Sequence, residues 1–230
     1  MMLVMKSKMP DELKNRCHQC RKPNPTVEEA VERLREWVDK GEAWAQRMMG
    51  QWYGNGQCGL KQSFVMAAML FEKAVAQGDP DAMYELAIMY QNGKGVAQSY
   101  TKAIELYTMA IEQGCLHAMY NLACLYQDGQ GVEQSYTKAV ELYTMAIEQG
   151  SLNAMYNLAR LYHTGRGVMQ SHKKAAELYT MAVEQGRDVD AMYGLACLYQ
   201  LGKGVAQSHE KAFELYTMAV EQEMLVRCTI

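Results

Sequence analysis

No stretch of this chain is long and apolar enough to span a bilayer. The apolar run in its opening residues, MMLVMKSKMP, is too short for a secretory signal. No membrane insertion is expected, and the expected compartment is the cytoplasm, with the nucleus as the alternative. Cysteine is not deployed as staples: the seven thiols are odd in number, and only Cys17 and Cys20 stand at a ligand spacing. Free thiols in a reducing compartment fit that pattern. Neither sign of charge dominates, since the formal net charge is −3. A chain without a basic footprint is not expected to hold nucleic acid. The locally basic stretch KSKMPDELKNRCHQCRK is short and interrupted by Asp11 and Glu12, whereas phosphate affinity needs many simultaneous cationic contacts. The histidines form no H-E-x-x-H.

What the chain has is one text written several times. ELYTMAIEQG begins at Glu105 and again at Glu141, returning as ELYTMAVEQG at Glu177 and ELYTMAVEQE at Glu214. Aligned on AMY, the alanines are Ala82, Ala118, Ala154 and Ala191, at steps of 36, 36 and 37 residues. A divergent copy precedes them around Ala45, Met49, Tyr53, Gly56, Gly59 and Ser63, and EEAVERLREWVDKG matches half a unit. A catalytic site needs its residues once, whereas a stacking unit needs them in every copy. A fixed period of this length marks a solenoid of helical units.

Each unit reads as two helices. Ala82, Leu86, Met89 and Tyr90 share one helical face, as do Ala103, Leu106, Tyr107, Ala110 and Ile111. Between them, Gly93 and Gly95 turn the chain at positive φ, and Ser99 stands as the N-cap of the second helix. Gly114 closes that helix, and Asp79 with Pro80 opens the next. Ser151 and Asp188 take the place of Asp79 as caps in later copies, where the third copy has Cys115. Ala103 and Ala139 are small enough for close helix approach. The columns Glu105, Glu141, Glu177 and Glu214 read as solvated faces, with Lys102 three residues before Glu105 for pairing. The G-x-G turns follow helices, not strands, so they read as linkers rather than phosphate cradles, and the serines are accounted for as caps.

The pattern A-x3-L-A-x2-Y-x2-G-x-G-V-x-Q-S-x3-A is carried by Ala82, Leu86, Ala87, Tyr90, Gly93, Gly95, Val96, Ser99 and Ala103, and by their counterparts in the next three copies. It resembles the Sel-one-like repeat, a relative of the tetratricopeptide repeat. The resemblance implies an all-α, right-handed superhelical α-solenoid of antiparallel helix pairs. It also implies a non-catalytic scaffold or adaptor that binds a protein or peptide in a concave groove. The expected organisation is an N-terminal segment 1–25 and a capping helix in 26–42. Five repeats follow at about 43–80, 81–116, 117–152, 153–189 and 190–222, then an apolar tail 223–230.

Carrying the groove positions of tetratricopeptide repeats onto this chain selects Tyr84, Ile88 and Asn92, with Asp81 and Gln91, in the second copy. The third copy supplies Tyr120, Cys124 and Asp128, with His117 and Gln127. The fourth supplies Tyr156, Arg160 and His163, with Asn153 and Thr164. The fifth supplies Tyr193 and Cys197, with Asp190, Gln200 and Leu201. The divergent copy offers Trp44, Arg47 and Gln51. Two readings of the Tyr84, Tyr120, Tyr156, Tyr193 row stand side by side: a binding face, or rings that only pack between neighbouring first helices. The column Ile88, Cys124, Arg160, Cys197 varies inside a unit otherwise uniform, as recognition or surface drift would make it.

Cys17 and Cys20 in CHQCRK have the spacing of a zinc knuckle, and the run resembles the closing ligand pair of a RING-type finger. The usual proline is replaced by His18, and no second ligand pair lies nearby. The expected cofactor is none, with zinc at Cys17 and Cys20 the alternative. A ubiquitin-pathway component is accordingly the second function, and a hydrolase of the β-lactamase-like repeat type a distant third. The apolar tail with Met224, Leu225, Val226 and Ile230 suggests a monomer that either folds it over the last repeat or self-associates weakly through it.

Overall fold

The computed structural model describes residues 26–115, 117–186 and 188–228. Among them every regular element is an α-helix. The chain divides into two compact units, the first ending at Gly114 and the second beginning at Cys115. The first holds α1 (Val27–Asp39), α2 (Ala43–Asn55), α3 (Phe64–Val75), α4 (Pro80–Asn92) and α5 (Tyr100–Glu112). The second holds α6 (His117–Asp128), α7 (Tyr136–Glu148), α8 (Leu152–Thr164), α9 (His172–Gly186), α10 (Val189–Leu201) and α11 (His209–Cys228). From α2 onward the helices come in pairs, and within each unit successive pairs stack, α3 on α4, α7 on α8 and α9 on α10. Each unit is therefore an α-solenoid of helix pairs.

The half-unit α1 opens with a capping box, in which Thr26 and Glu29 bond each other's backbone amides at 3.2 Å. Its Val31 and Leu34 are buried with Ala45, Met49 and Leu70, which closes the first pair from one side.

Every second helix begins on a serine cap. Ser63, Ser99, Ser135, Ser171 and Ser208 each accept the amide three residues on, at 3.2–3.3 Å. Asp79 and Asp188 cap first helices at 2.9 and 2.8 Å. Ser151 occupies the same place, yet its side chain makes no cap bond. The turn inside each pair is stitched by a glutamine. Gln98, Gln134, Gln170 and Gln207 donate to the carbonyls of Gln91, Gln127, His163 and Gln200 at 2.7–2.9 Å.

The lysine column does something the periodicity did not suggest. Lys102 Nζ sits 4.9 Å from the centroid of the Tyr90 ring, rather than being drawn to Glu105. Lys138, Lys174 and Lys211 lie over Tyr126, Tyr162 and Tyr199 in the same way, at 4.9–5.2 Å. Each is a cation–π contact between the start of a second helix and the end of its own first helix. Glu105, Glu141, Glu177 and Glu214 are exposed.

The second glycine of the turn has a separate reason at Gly95, Gly167 and Gly204. Gly95 has φ +74°, and a Cβ there would meet the Phe64 carbonyl and stand 2.8 Å from the Val65 nitrogen. Gly204 stands likewise against His172 and Lys173. A side chain at these points would pry one pair from the next. Alanines fill the seams, with Ala82, Ala87, Ala103 and Ala110 fully buried in the first unit and Ala118, Ala123 and Ala139 in the second.

The residues expected as an apolar tail continue α11 as an unbroken helix as far as Cys228. Phe213 on that helix is 72% exposed, whereas Ala176 at the same register of α9 is buried in the core that α9 shares with α10.

Candidate functional site

The tyrosines singled out on the first helices are not bare. Tyr84 meets Tyr107 of the following second helix with ring centroids 6.1 Å apart, and Tyr120 meets Tyr143 at 6.0 Å. Tyr156 with Tyr179 and Tyr193 with Tyr216 repeat the contact at 6.0 and 5.9 Å. The interplanar angles of 42–48° give tilted packing, a favourable aromatic geometry. In every pair the first-helix ring is half-buried, and Tyr107 and Tyr143 are wholly buried. The row thus lies against the core with one edge outward.

The inner hydroxyls are also tied down. Tyr107 donates to Gln91 Oε1 at 2.7 Å, Tyr143 to Gln127 Oε1 at 3.4 Å and Tyr216 to Gln200 Oε1 at 3.2 Å. Cys124 Sγ lies 3.3 Å from the Tyr143 hydroxyl, and Cys197 Sγ is at the same distance from Tyr216. Burial pushes Tyr143 far above the ordinary phenol range, and pushes Tyr120 and Tyr179 up to about 12. Tyr216 reaches about 12 chiefly through its bond to Cys197. These groups stay neutral hydroxyls at physiological pH. Burial likewise raises the Cys124 thiol, which keeps it from the thiolate form a nucleophile needs.

The fourth copy departs from this scheme. His163 stands where the others have Gln91, Gln127 and Gln200, and His172 where two of them have Tyr100 and Tyr136. The two imidazoles pack edge to face with centroids 5.0 Å apart, and neither buried Nδ1 finds a hydrogen-bond partner among the described residues. Burial, then His172 and Lys203, lowers the His163 pKa. Sequence spacing gave no hint of this pair, because the two histidines belong to different helices and meet across the turn.

The remaining groove positions divide by unit. On α4, Ile88 is half-buried and its carbonyl accepts the Asn92 side chain at 2.9 Å. Arg47 and Gln51 of the divergent copy are occupied by bridges: Arg47 pairs with Asp79 at 3.1 Å and Asp81 at 3.5 Å, and Gln51 donates to Glu85 at 2.8 Å. In the second unit Asp128, Asn153, Arg160, Asp190 and Cys197 are exposed. A pocket of about 310 Å³ opens there, lined by Gln127, Asp128, Gln134, Tyr136, Arg160, Leu161, Thr164 and Arg166. Gln127, Asp128, Arg160 and Thr164 belong to the groove set. Gln134, Tyr136 and Arg166 were missed, since they lie in or beside turns that helical periodicity does not reach. The basic residue inside three of the G-x-G turns, Lys94, Arg166 and Lys203, was the available cue.

Cys17 and Cys20 lie outside the described residues. Among the described ones no group of three or more His, Cys, Asp or Glu side chains is placed to hold a metal ion. Nor is any helix among them long and apolar enough to cross a membrane.

The architecture and the repeated caps, glycines and alanines define a helical-repeat protein. The Sel1 repeat model matches residues 45–79, 80–115, 116–151, 152–186 and 189–224, and the chain belongs to the Sel1 repeat family. Repeats of this family generally serve as protein-interaction scaffolds. Among solved structures the chain is similar to c5321, a protective antigen of uropathogenic Escherichia coli displaying an SLR fold. The identity is 28% and the TM-score 0.81, with 85% of this chain covered. The match spans 42% of the length of that protein. A Sel1 repeat protein from Oxalobacter formigenes is 27% identical with a TM-score of 0.77, over 84% of this chain and 79% of the other. A putative Sel1 repeat protein from Klebsiella pneumoniae shares the fold at 23% identity and a TM-score of 0.53, over 86% and 95% of the two chains. No curated protein sequence matches.

Proposed function

We propose that this chain is a non-catalytic interaction scaffold of the cytoplasm that holds an extended peptide segment along the first-helix face of its second unit, formed by α6, α8 and α10. The observation that carries the reading is the contrast along that face. The Tyr120, Tyr156 and Tyr193 rings are held in one geometry by their partners on the second helices. Between them the column Cys124, Arg160, Cys197 alternates between a thiol and a guanidinium, and the last two are exposed. A rigid aromatic framework with a varied rim favours binding, because little side-chain entropy is lost when a ligand seats.

The test is selection of a displayed library of random dodecapeptides on the purified chain. The parent should enrich a shared peptide motif, and a variant with Asn153→Arg and Cys197→Arg should lose it while keeping parental helicity and melting temperature. Equal enrichment on both removes the face as the binding surface. Both positions are exposed, so the charges they introduce point at a ligand rather than into the core.

A further inference from the structure

The pocket between α6 and α8 has a chemical character of its own. Two guanidiniums line it, Arg160 and Arg166, and among the described residues neither has a carboxylate within 4.0 Å. Both are oriented by tyrosine. Arg166 lies 5.5 Å from the Tyr136 ring centroid and donates to the Tyr136 hydroxyl at 3.3 Å. Arg160 lies 5.8 Å from the Tyr156 ring.

The neighbouring polar atoms leave more donors than acceptors. The Tyr136 hydroxyl accepts from Arg166 and from Gln134 Nε2, the latter at 3.1 Å, so its own proton remains to be donated. Thr164 spends its proton on the Arg160 carbonyl at 2.9 Å. Asp128 is the acidic group of the lining, and it accepts from Gln127 Nε2 at 3.2 Å. Two cations against one anion leave a net positive pocket in a chain whose formal net charge is −3. No other copy has this pair: the Arg160 register holds Ile88, Cys124 and Cys197, and the Arg166 register holds Lys94, Gln130 and Lys203.

From these observations we infer that the pocket is an oxyanion subsite that takes the acidic side chain of a bound peptide between Arg160, Arg166 and the Tyr136 hydroxyl. Guanidinium forks match a carboxylate or phosphate bidentately, and stacking on tyrosine pre-organises them. The volume, about 310 Å³, lies at the small end of ligand pockets, about 300–1,000 Å³, and suits one side chain rather than a whole ligand. The inference rests on the peptide-binding reading above and names the chemistry of one of its contacts.

The test follows the arginine Nε–H resonances by NMR during titration with capped tetraglutamate, capped tetraglutamine and inorganic phosphate. Tetraglutamate should move Arg160 and Arg166 while leaving Arg33 and Arg35, which are exposed on α1, in place; tetraglutamine should move none. Arg160→Gln with Arg166→Gln should abolish the saturable component. Asp128→Asn should tighten tetraglutamate binding by about fivefold, the size of one close charge contact in water. Shifts spread evenly over all four arginines, or no shift at all, overturn the subsite. Phosphate acting at lower concentration than tetraglutamate overturns its assignment to a peptide. Peptides selected from the library and lost with Asn153→Arg and Cys197→Arg, while tetraglutamate leaves Arg160 and Arg166 unmoved, overturn the subsite alone and leave the peptide-binding face standing.

Discussion

Tyr179 presses its ring against Gly194 so closely that a Cβ at Gly194 would stand 2.7 Å from Tyr179 Cζ. The contact joins the second helix of one pair to the first helix of the next. Tyr179 is 4% exposed and packed with Met155, Ala159 and Leu195, so the ring has little room to retreat. Gly194→Ala gains about 0.5–1 kcal/mol of helix propensity but overpacks this seam, at a cost of about 1–3 kcal/mol. The expected net result is a lower melting temperature. An unchanged or raised one would show that the ring can shift.

The ion pair between Arg47 and Asp79 joins the first two pairs, with side chains only 13% and 12% exposed. Asp79 also caps α4 through Ala82. Arg47→Met, which strands a mostly buried carboxylate, should cost about 2 kcal/mol, less than the figure for a fully buried pair. Asp79→Ala should cost more, because it removes the cap as well, worth about 1 kcal/mol. Chemical denaturation of the two variants checks the order; the reverse order would contradict it.

His163 supplies a pH dependence. Its pKa in the folded chain lies below the ordinary value near 6.5, through burial first and then the charges of His172 and Lys203. The unfolded chain therefore binds the proton more readily, so His163 costs no stability above about pH 6.5 and increasingly destabilises the fold as the pH falls below it, down to its lowered value. His163→Gln installs the residue that accepts a tyrosine hydroxyl at Gln91, Gln127 and Gln200. That variant should melt higher than the parent at pH 5.5 and show a smaller loss between pH 7.5 and 5.5. Equal pH profiles would remove His163 as the source.

How far the sequence carried these conclusions depends on the residue. Ser99 and Ser135, Gly93 and Gly95, Asp79 with Pro80, and Ala103 and Ala139 act through local geometry or small size, and a periodic text displays both. The tyrosine pairs were not legible, because Tyr84 and Tyr107 lie on different helices and one helical face cannot report what another presents to it. The same applies to Lys102, which is nearer to Glu105 in sequence but reaches the Tyr90 ring in space. Arg166 escaped because it sits in a turn, where side-chain direction follows φ and ψ rather than a 3.6-residue period. The Ser151 position shows the opposite limit: a residue of the right type at the right place makes no cap bond.

Hydrogen exchange of the purified chain with and without a library-selected peptide reports whether that peptide lies along α6, α8 and α10. Slowed exchange is expected at the C-terminal turns of α6, α8 and α10 and in the turns that follow them, around Asp128–Tyr136, Thr164–His172 and Leu201–His209. Protection confined to α7, α9 and α11, or to the segment before Thr26, would contradict it.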